Sequence, residues 1–146
     1  MINIFTIGFT KTSASDFFSA IKKNNVKVVI DVRLNNVSQL SGFAKGKDLK
    51  YFLKEICDVD YVHDLDLAPT QNILKPYQNK EISWSEYADK FNELLVKRKI
   101  EKNIDLDKLN GACLLCSEKT PHMCHRRLVF EYLKNYAKLD ASVFHL

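Results

Sequence analysis

The sequence has no apolar run near the roughly 20 residues that a helix needs to cross a bilayer, so nothing in it reads as a membrane span or implies a membrane partner. Its opening, Met1-Ile2-Asn3-Ile4-Phe5, lacks a basic segment followed by a long apolar one. On that pattern no secretory signal is expected, and the expectation is a cytoplasmic protein. There is no internal repeat, no low-complexity tract and no linker-like stretch. A steep charge bias is missing too: the net charge is +4, which permits an anionic partner without requiring one. Nucleic-acid binders often carry a stronger bias gathered on one face. Tyr51, Tyr61, Tyr77 and Trp84 do not interleave with basic residues as a base-stacking platform would. Finally, the four cysteines include no Cys-x-x-Cys pair, which weighs against a cycling dithiol. In a reducing compartment they are left with metal binding, catalysis or packing.

What is present is an ordinary globular composition, with 46% hydrophobic and 27% charged residues. At 146 residues the chain is long enough to bury a core, and the expectation is one domain spanning 1–146. Asn3 to Ile7 reads as a strand ended by Gly8, where the backbone can turn or approach a ligand closely. Ser13 or Ser15 caps a helix reaching about Asn24, with Phe17, Phe18, Ala20 and Ile21 inward. Val26 to Val32, β-branched without full alternation, suits a strand covered on both faces. Leu34 to Lys47 reads as a loop, Asp48 to Cys57 as a helix with Leu49, Phe52, Leu53 and Ile56 on one stripe, and Asp60 to His63 as a short strand. Residues 64–81, with Pro69 and Pro76, read as a long irregular loop. Ser83-Trp84-Ser85-Glu86 matches a capping box, with Ile82 and Tyr87 as a hydrophobic staple, and starts a helix to about Lys99. A strand after Gly111, a helix from Pro121 to about Ala137 and a final strand over Ser142 to Leu146 complete the chain. This alternation predicts an α/β fold, a mainly parallel central sheet with helices on both faces. In such folds ligands bind outside the carboxyl ends of the strands. Were the first strand and the Gly111 strand neighbours, Gly8, Asp31, Arg33 and Cys116 would share one rim.

Chemistry is densest in Gly111 to Arg127, GACLLCSEKTPHMCHRR, where a strand end meets a helix start. Cys116 falls at that strand's end, and the loop amides and helix N-terminus beyond it favour a thiolate. Arg33 and Arg126 each offer a planar fork suited to phosphate or carboxylate.

The set Thr6-Ile7-Gly8, Asp31-Val32-Arg33, and Leu114-Leu115-Cys116-Ser117-Glu118 with Pro121 and Cys124-His125-Arg126 resembles the domain-of-unknown-function family 488. The likeness also takes in Asn35 to Leu40, Leu67-Ala68-Pro69-Thr70 and the Trp84/Tyr87 helix. Some members have His-Ser where this chain has Phe9-Thr10. The resemblance implies an α/β fold and a shared site at these residues. It implies no particular activity.

Three functions compete. The first is a small cytosolic enzyme acting on an anionic or nucleotide-like substrate, with Cys116 as nucleophile, His125 as the proton-transfer group and Glu118 as its partner. Gly8, Asp31, Arg33 and Arg126 would then bind the substrate, the two arginines clamping its anion. The second is a metal site, zinc or another transition metal, on Cys116, Cys124 and His125 with His122 or His63 as fourth ligand. The spacing is not one of the usual closed zinc patterns. The third is a nucleic-acid-binding module whose cysteines only pack.

Overall fold

A computed structural model describes residues 2–37, 42–117, 124–136 and 138–146. Five strands form one sheet: β1 (Ile2–Gly8), β2 (Val28–Asp31), β3 (Asp60–His63), β4 (Ala112–Cys116) and β5 (Ala141–His145). Their order is β3-β2-β4-β1-β5 and every pairing is parallel. β4 lies at the centre with all of its residues buried. Its unbroken apolar run, Ala112-Cys113-Leu114-Leu115, is what a strand covered on both faces requires. The register sets Gly8 beside Cys116 and Asp31 beside Leu115. The ends of β1, β2 and β4 therefore meet at one carboxyl edge.

On one face lie α1 (Ala14–Lys23) and α2 (Gly46–Phe52), the latter continuing into a π-helical turn, Leu53–Cys57. Ser13 caps α1 by accepting a hydrogen bond from the Asp16 amide at 3.0 Å. Phe17, Phe18, Ile21, Leu49 and Leu53 pack there against Val29, Cys113 and Leu115. The π turn widens the helix and shifts its phase, so Ile56 leaves the expected stripe and is exposed. The other face carries α3 (Gln71–Gln78), α4 (Trp84–Arg98), the short α5 (Ile100–Asn103) and α6 (His125–Tyr136). Tyr87, Phe91, Leu95, Val129 and Leu133 fill the core between these helices and Ile4, Leu114 and Cys116.

Two expectations need correction. Residues 64–81 are not an irregular loop: Leu65–Leu67 form a 3-10 turn capped by Asp64, and α3 follows. Ile73, Leu74 and Tyr77 pack on the α4 core, and that burial overrides the proline signal. Pro76 sits near the end of α3, where its ring interrupts only the last turn. Arg98 pins the preceding turn, its Nη1 donating to the carbonyls of Leu65, Asp66 and Ala68 at 3.3, 2.7 and 2.7 Å. Part of the supposed 34–47 loop is also helical, since Gly42–Ala44 forms a 3-10 turn and α2 starts at Gly46. The α4 cap is as expected, with Ser83 accepting from the Glu86 amide at 3.2 Å. The helix expected from Pro121 is described only from His125; Glu118, Pro121 and His122 lie outside the described residues. Among the described residues no helix is long and apolar enough to cross a membrane.

Candidate functional site

β4 ends at Cys116 and α6 begins at His125, so the connection between them returns Cys124 and His125 to the strand end. Cys116 Sγ lies 3.4 Å from His125 Nδ1 and 3.8 Å from Nε2. His125 Nε2 lies 2.5 Å from the Val32 carbonyl oxygen. A carbonyl can only accept, so Nε2 carries the hydrogen. Burial lowers the pKa of His125 below its ordinary value, more than the nearby Cys124 and the Val32 carbonyl raise it. The ring is therefore neutral at pH 7 and turns the lone pair of Nδ1 toward Cys116. Cys124 completes the chain. Its thiol is held well above the usual range, first by its hydrogen bond to Cys116 and then by burial, so it stays protonated and donates to the Cys116 sulfur. The donors run in one direction: Cys124 to Cys116, Cys116 to His125, His125 to the Val32 carbonyl.

The three side chains are buried, and their ligand-capable atoms all lie within 4.8 Å of one another. They border a cavity of about 370 Å³ at the carboxyl edge of the sheet. The strand ends supply Phe9, Arg33, Leu34, Asn35 and Ser117, while α3 and α4 supply Leu74, Tyr77, Gln78, Trp84 and Tyr87. Ser117 is anchored through its carbonyl, which accepts from the Phe9 and Thr10 amides at 3.2 and 2.9 Å and from Thr10 Oγ1 at 2.6 Å.

Arg33 is only 4% exposed. Its Nε and Nη2 donate to the two oxygens of Asp31 at 2.9 and 2.7 Å, and Nη2 also reaches the Ala44 carbonyl at 2.7 Å. The guanidinium stacks over Phe9, 5.0 Å from the ring centroid. Tyr61 donates to the same carboxylate at 2.6 Å. Burial alone would lower the pKa of Arg33, but the bonds to Asp31 outweigh it and the net shift is upward. Burial and the bond to Asp31 push Tyr61 up to about 12, which keeps it a donor. Nη1 of Arg33 is buried and has no hydrogen-bond partner among the described residues.

The remaining sequence candidates lie elsewhere. Asp31 is consumed by Arg33 and Tyr61 and does not border the cavity; its part is to position Arg33. Gly8 is buried in register with Cys116 and is not on the wall either. Arg126 is wholly buried in the first turn of α6 and does not border the cavity, whereas Arg33 does. His63 places Nε2 2.7 Å from the Arg33 carbonyl and is outside the Cys/His cluster. Sequence reasoning missed the aromatic wall. Tyr77 and Tyr87 stack with centroids 4.8 Å apart, and Trp84 lies 5.7 and 5.5 Å from them. The spacing of Ile73, Leu74 and Tyr77, once read as helical, was the available signal. As parts of the site, Asn35 and the Trp84/Tyr87 helix were marked only by the family resemblance, and Gln78 carried no signal.

No curated protein and no solved structure matches the chain. Residues 13–133 match a protein family, a span that runs from the cap of α1 into α6 and takes in the cluster, Arg33 and most of the cavity wall. On that match the chain belongs to the family described as Domain of unknown function DUF488.

Proposed function

We propose that the protein is an enzyme that uses Cys116 as a nucleophile on an anionic small molecule. The observation that carries this is the contact between Cys116 Sγ and the lone-pair nitrogen of His125, on the wall of the cavity that Arg33 also borders. The proton of Cys116 passes to Nδ1. The thiolate that remains is steadied by the imidazolium and by the Cys124 thiol, and its lone pair forms a bond to the electrophilic atom of the substrate. The leaving group departs with the proton from Nδ1. Arg33, which borders the cavity, supplies positive charge toward an anionic group of the substrate, and Asp31 and Tyr61 hold Arg33 in place. Glu118, outside the described residues, remains a candidate partner of His125 from its place two positions after Cys116. The test is the rate of iodoacetamide alkylation of Cys116 against pH, with Cys116→Ser as control. Half-titration clearly below about 8.5, the value of a free cysteine, is expected. Titration at or above it overturns the nucleophile.

A second function has its own support. Two thiols and an imidazole within 4.8 Å make a three-ligand set for a divalent metal, bordering the cavity where a fourth position could stay open. A ligating histidine commonly gives its other N–H to a carbonyl, as Nε2 does here. Zinc held there would supply a Lewis acid. Elemental analysis of protein purified without chelator decides it. About one zinc per chain, lost in Cys124→Ala, supports the metal, and metal well below one per chain ends the idea.

A further inference from the structure

The cavity is built for more than an anion. Beside the edge formed by Cys116, His125 and Arg33, α3 and α4 present the rings of Tyr77, Trp84 and Tyr87. Tyr87 is sealed in the core, but Tyr77 and Trp84 are only half-buried. Trp84 also carries the Arg127 guanidinium 5.7 Å from its ring centroid. Two primary amides, Asn35 and Gln78, stand exposed where they border the cavity; the Asn35 oxygen already accepts from the Val37 amide at 3.0 Å, which leaves its NH2 as donor, while Gln78 carries both a donor and an acceptor group. A small carboxylate or phosphate would use Arg33 and leave the aromatic surface wetted and unused. A flat ring with a mixed donor and acceptor edge would use the rings for stacking and the amides for its edge. The volume, about 370 Å³, lies toward the small end of the about 300–1,000 Å³ usual for ligand sites.

We infer that the cavity binds a nucleoside monophosphate, its base against Tyr77 and Trp84, its polar edge toward Asn35 and Gln78, and its phosphate toward Arg33, which borders the same cavity. This names the substrate class of the enzyme proposed above and rests on that assignment only for the chemistry, not for the binding.

Trp84 is the only tryptophan of the chain, so its emission, excited at 295 nm as befits an indole read apart from tyrosine and nucleotide absorbance, reports on the cavity directly. The whole protein is titrated with adenosine 5′-monophosphate, uridine 5′-monophosphate, ribose 5-phosphate and inorganic phosphate. The expected result is saturable quenching by at least one nucleotide, with ribose 5-phosphate binding about tenfold or more weakly, the scale of losing one stacked base. Calorimetry on Tyr77→Leu should show a similar loss for the nucleotide and little change for ribose 5-phosphate. Ribose 5-phosphate or phosphate binding as tightly as both nucleotides, or no saturable quenching by either nucleotide, overturns the inference whether or not the variant folds. Cys116→Ser separates the two proposals. Nucleotide binding that survives in it, with an ordinary thiol titration in the wild type, removes the nucleophile and keeps the ligand. A low-titrating Cys116 with ring-free anions bound equally well does the reverse.

Discussion

The two ends of the sheet are made of different material. At the amino end, β1, β2 and β4 begin with Ile2 to Phe5, Val28 to Ile30 and Ala112 to Leu114, apolar apart from Asn3. At the carboxyl end lie Asp31, Arg33, His125 and Arg126; of the buried polar and charged residues among those described only Thr6, level with Leu114, lies lower. The contrast is sharpest within β4. Cys113 and Cys116 share a strand, yet burial simply holds the Cys113 thiol up, with Arg126 a minor pull the other way, while Cys116 meets an imidazole nitrogen. Burial of a polar group is destabilising unless a partner compensates it. At the carboxyl end the partners are present for all of Asp31, and one donor of Arg33 is left open. The lesson is that a buried thiol says little by itself; what it touches says more.

The contrast can be broken first at Asp31. Asp31→Ala leaves the Arg33 charge buried without its counter-ion and is expected to cost about 3–5 kcal/mol, read as a fall in the urea midpoint at constant slope. A loss under 1 kcal/mol, less than a typical buried pair gives up, would mean that Arg33 does not depend on the pair. The two cysteines sharpen it next. Cys113→Ser puts a hydroxyl among apolar neighbours and should destabilise by about 1–3 kcal/mol. Cys116→Ser should lose less than about 1 kcal/mol, since its hydroxyl can donate to Nδ1 of His125. Equal losses in urea melts would erase the distinction. Pro- and anti-cap effects are smaller still: Ser83→Ala removes the α4 cap and should cost about 1 kcal/mol, lowering the melting temperature without changing the pH profile of alkylation at Cys116.

A further effect is one of pH. Burial depresses the folded-state pKa of His125, and burial with Arg126 and Arg127 does the same to His145. Above about 6.5, the unfolded value, both states are neutral and pH has no leverage through these rings. Below it the unfolded chain takes up the proton first, so stability falls as pH falls, until the depressed folded values are reached. One proton gives at most about 1.4 kcal/mol per pH unit. Urea melts at pH 7.5 and 5.5 should show the loss, and His125→Asn should reduce it. An unchanged dependence in that variant would move the cause away from His125.

Much of this layout was legible in the residues. Ser13 and Ser83 announced two helix starts because a side-chain cap is a local device, and β3 came out as Asp60–His63 because alternation with turn residues on either side is local as well. The density of Gly111 to Arg127 pointed to Cys116, Cys124 and His125, which the structure brings together. What stayed hidden depended on long-range packing. Nothing near Tyr77 says that it stacks on Tyr87, and Pro76 pointed away from α3. Asp31 and Arg33 could be paired from sequence, but Tyr61 as their third member could not. Arg126 looked like Arg33 on paper, and only the direction in which α6 buries it separates the two.

The strand order has a consequence for how the protein is made. β1 and β2 are never neighbours; β4 slots between them and bonds to both. A nascent chain that has emerged only as far as α4 holds two unjoined sheet edges, and neither can close until residues 112–116 arrive. The strand that joins the two halves is the one that ends in Cys116, and β5 then pairs on the outer edge of β1. A chain halted at α4 holds neither Cys116 nor His125 and so has no assembled thiol–imidazole pair to expose.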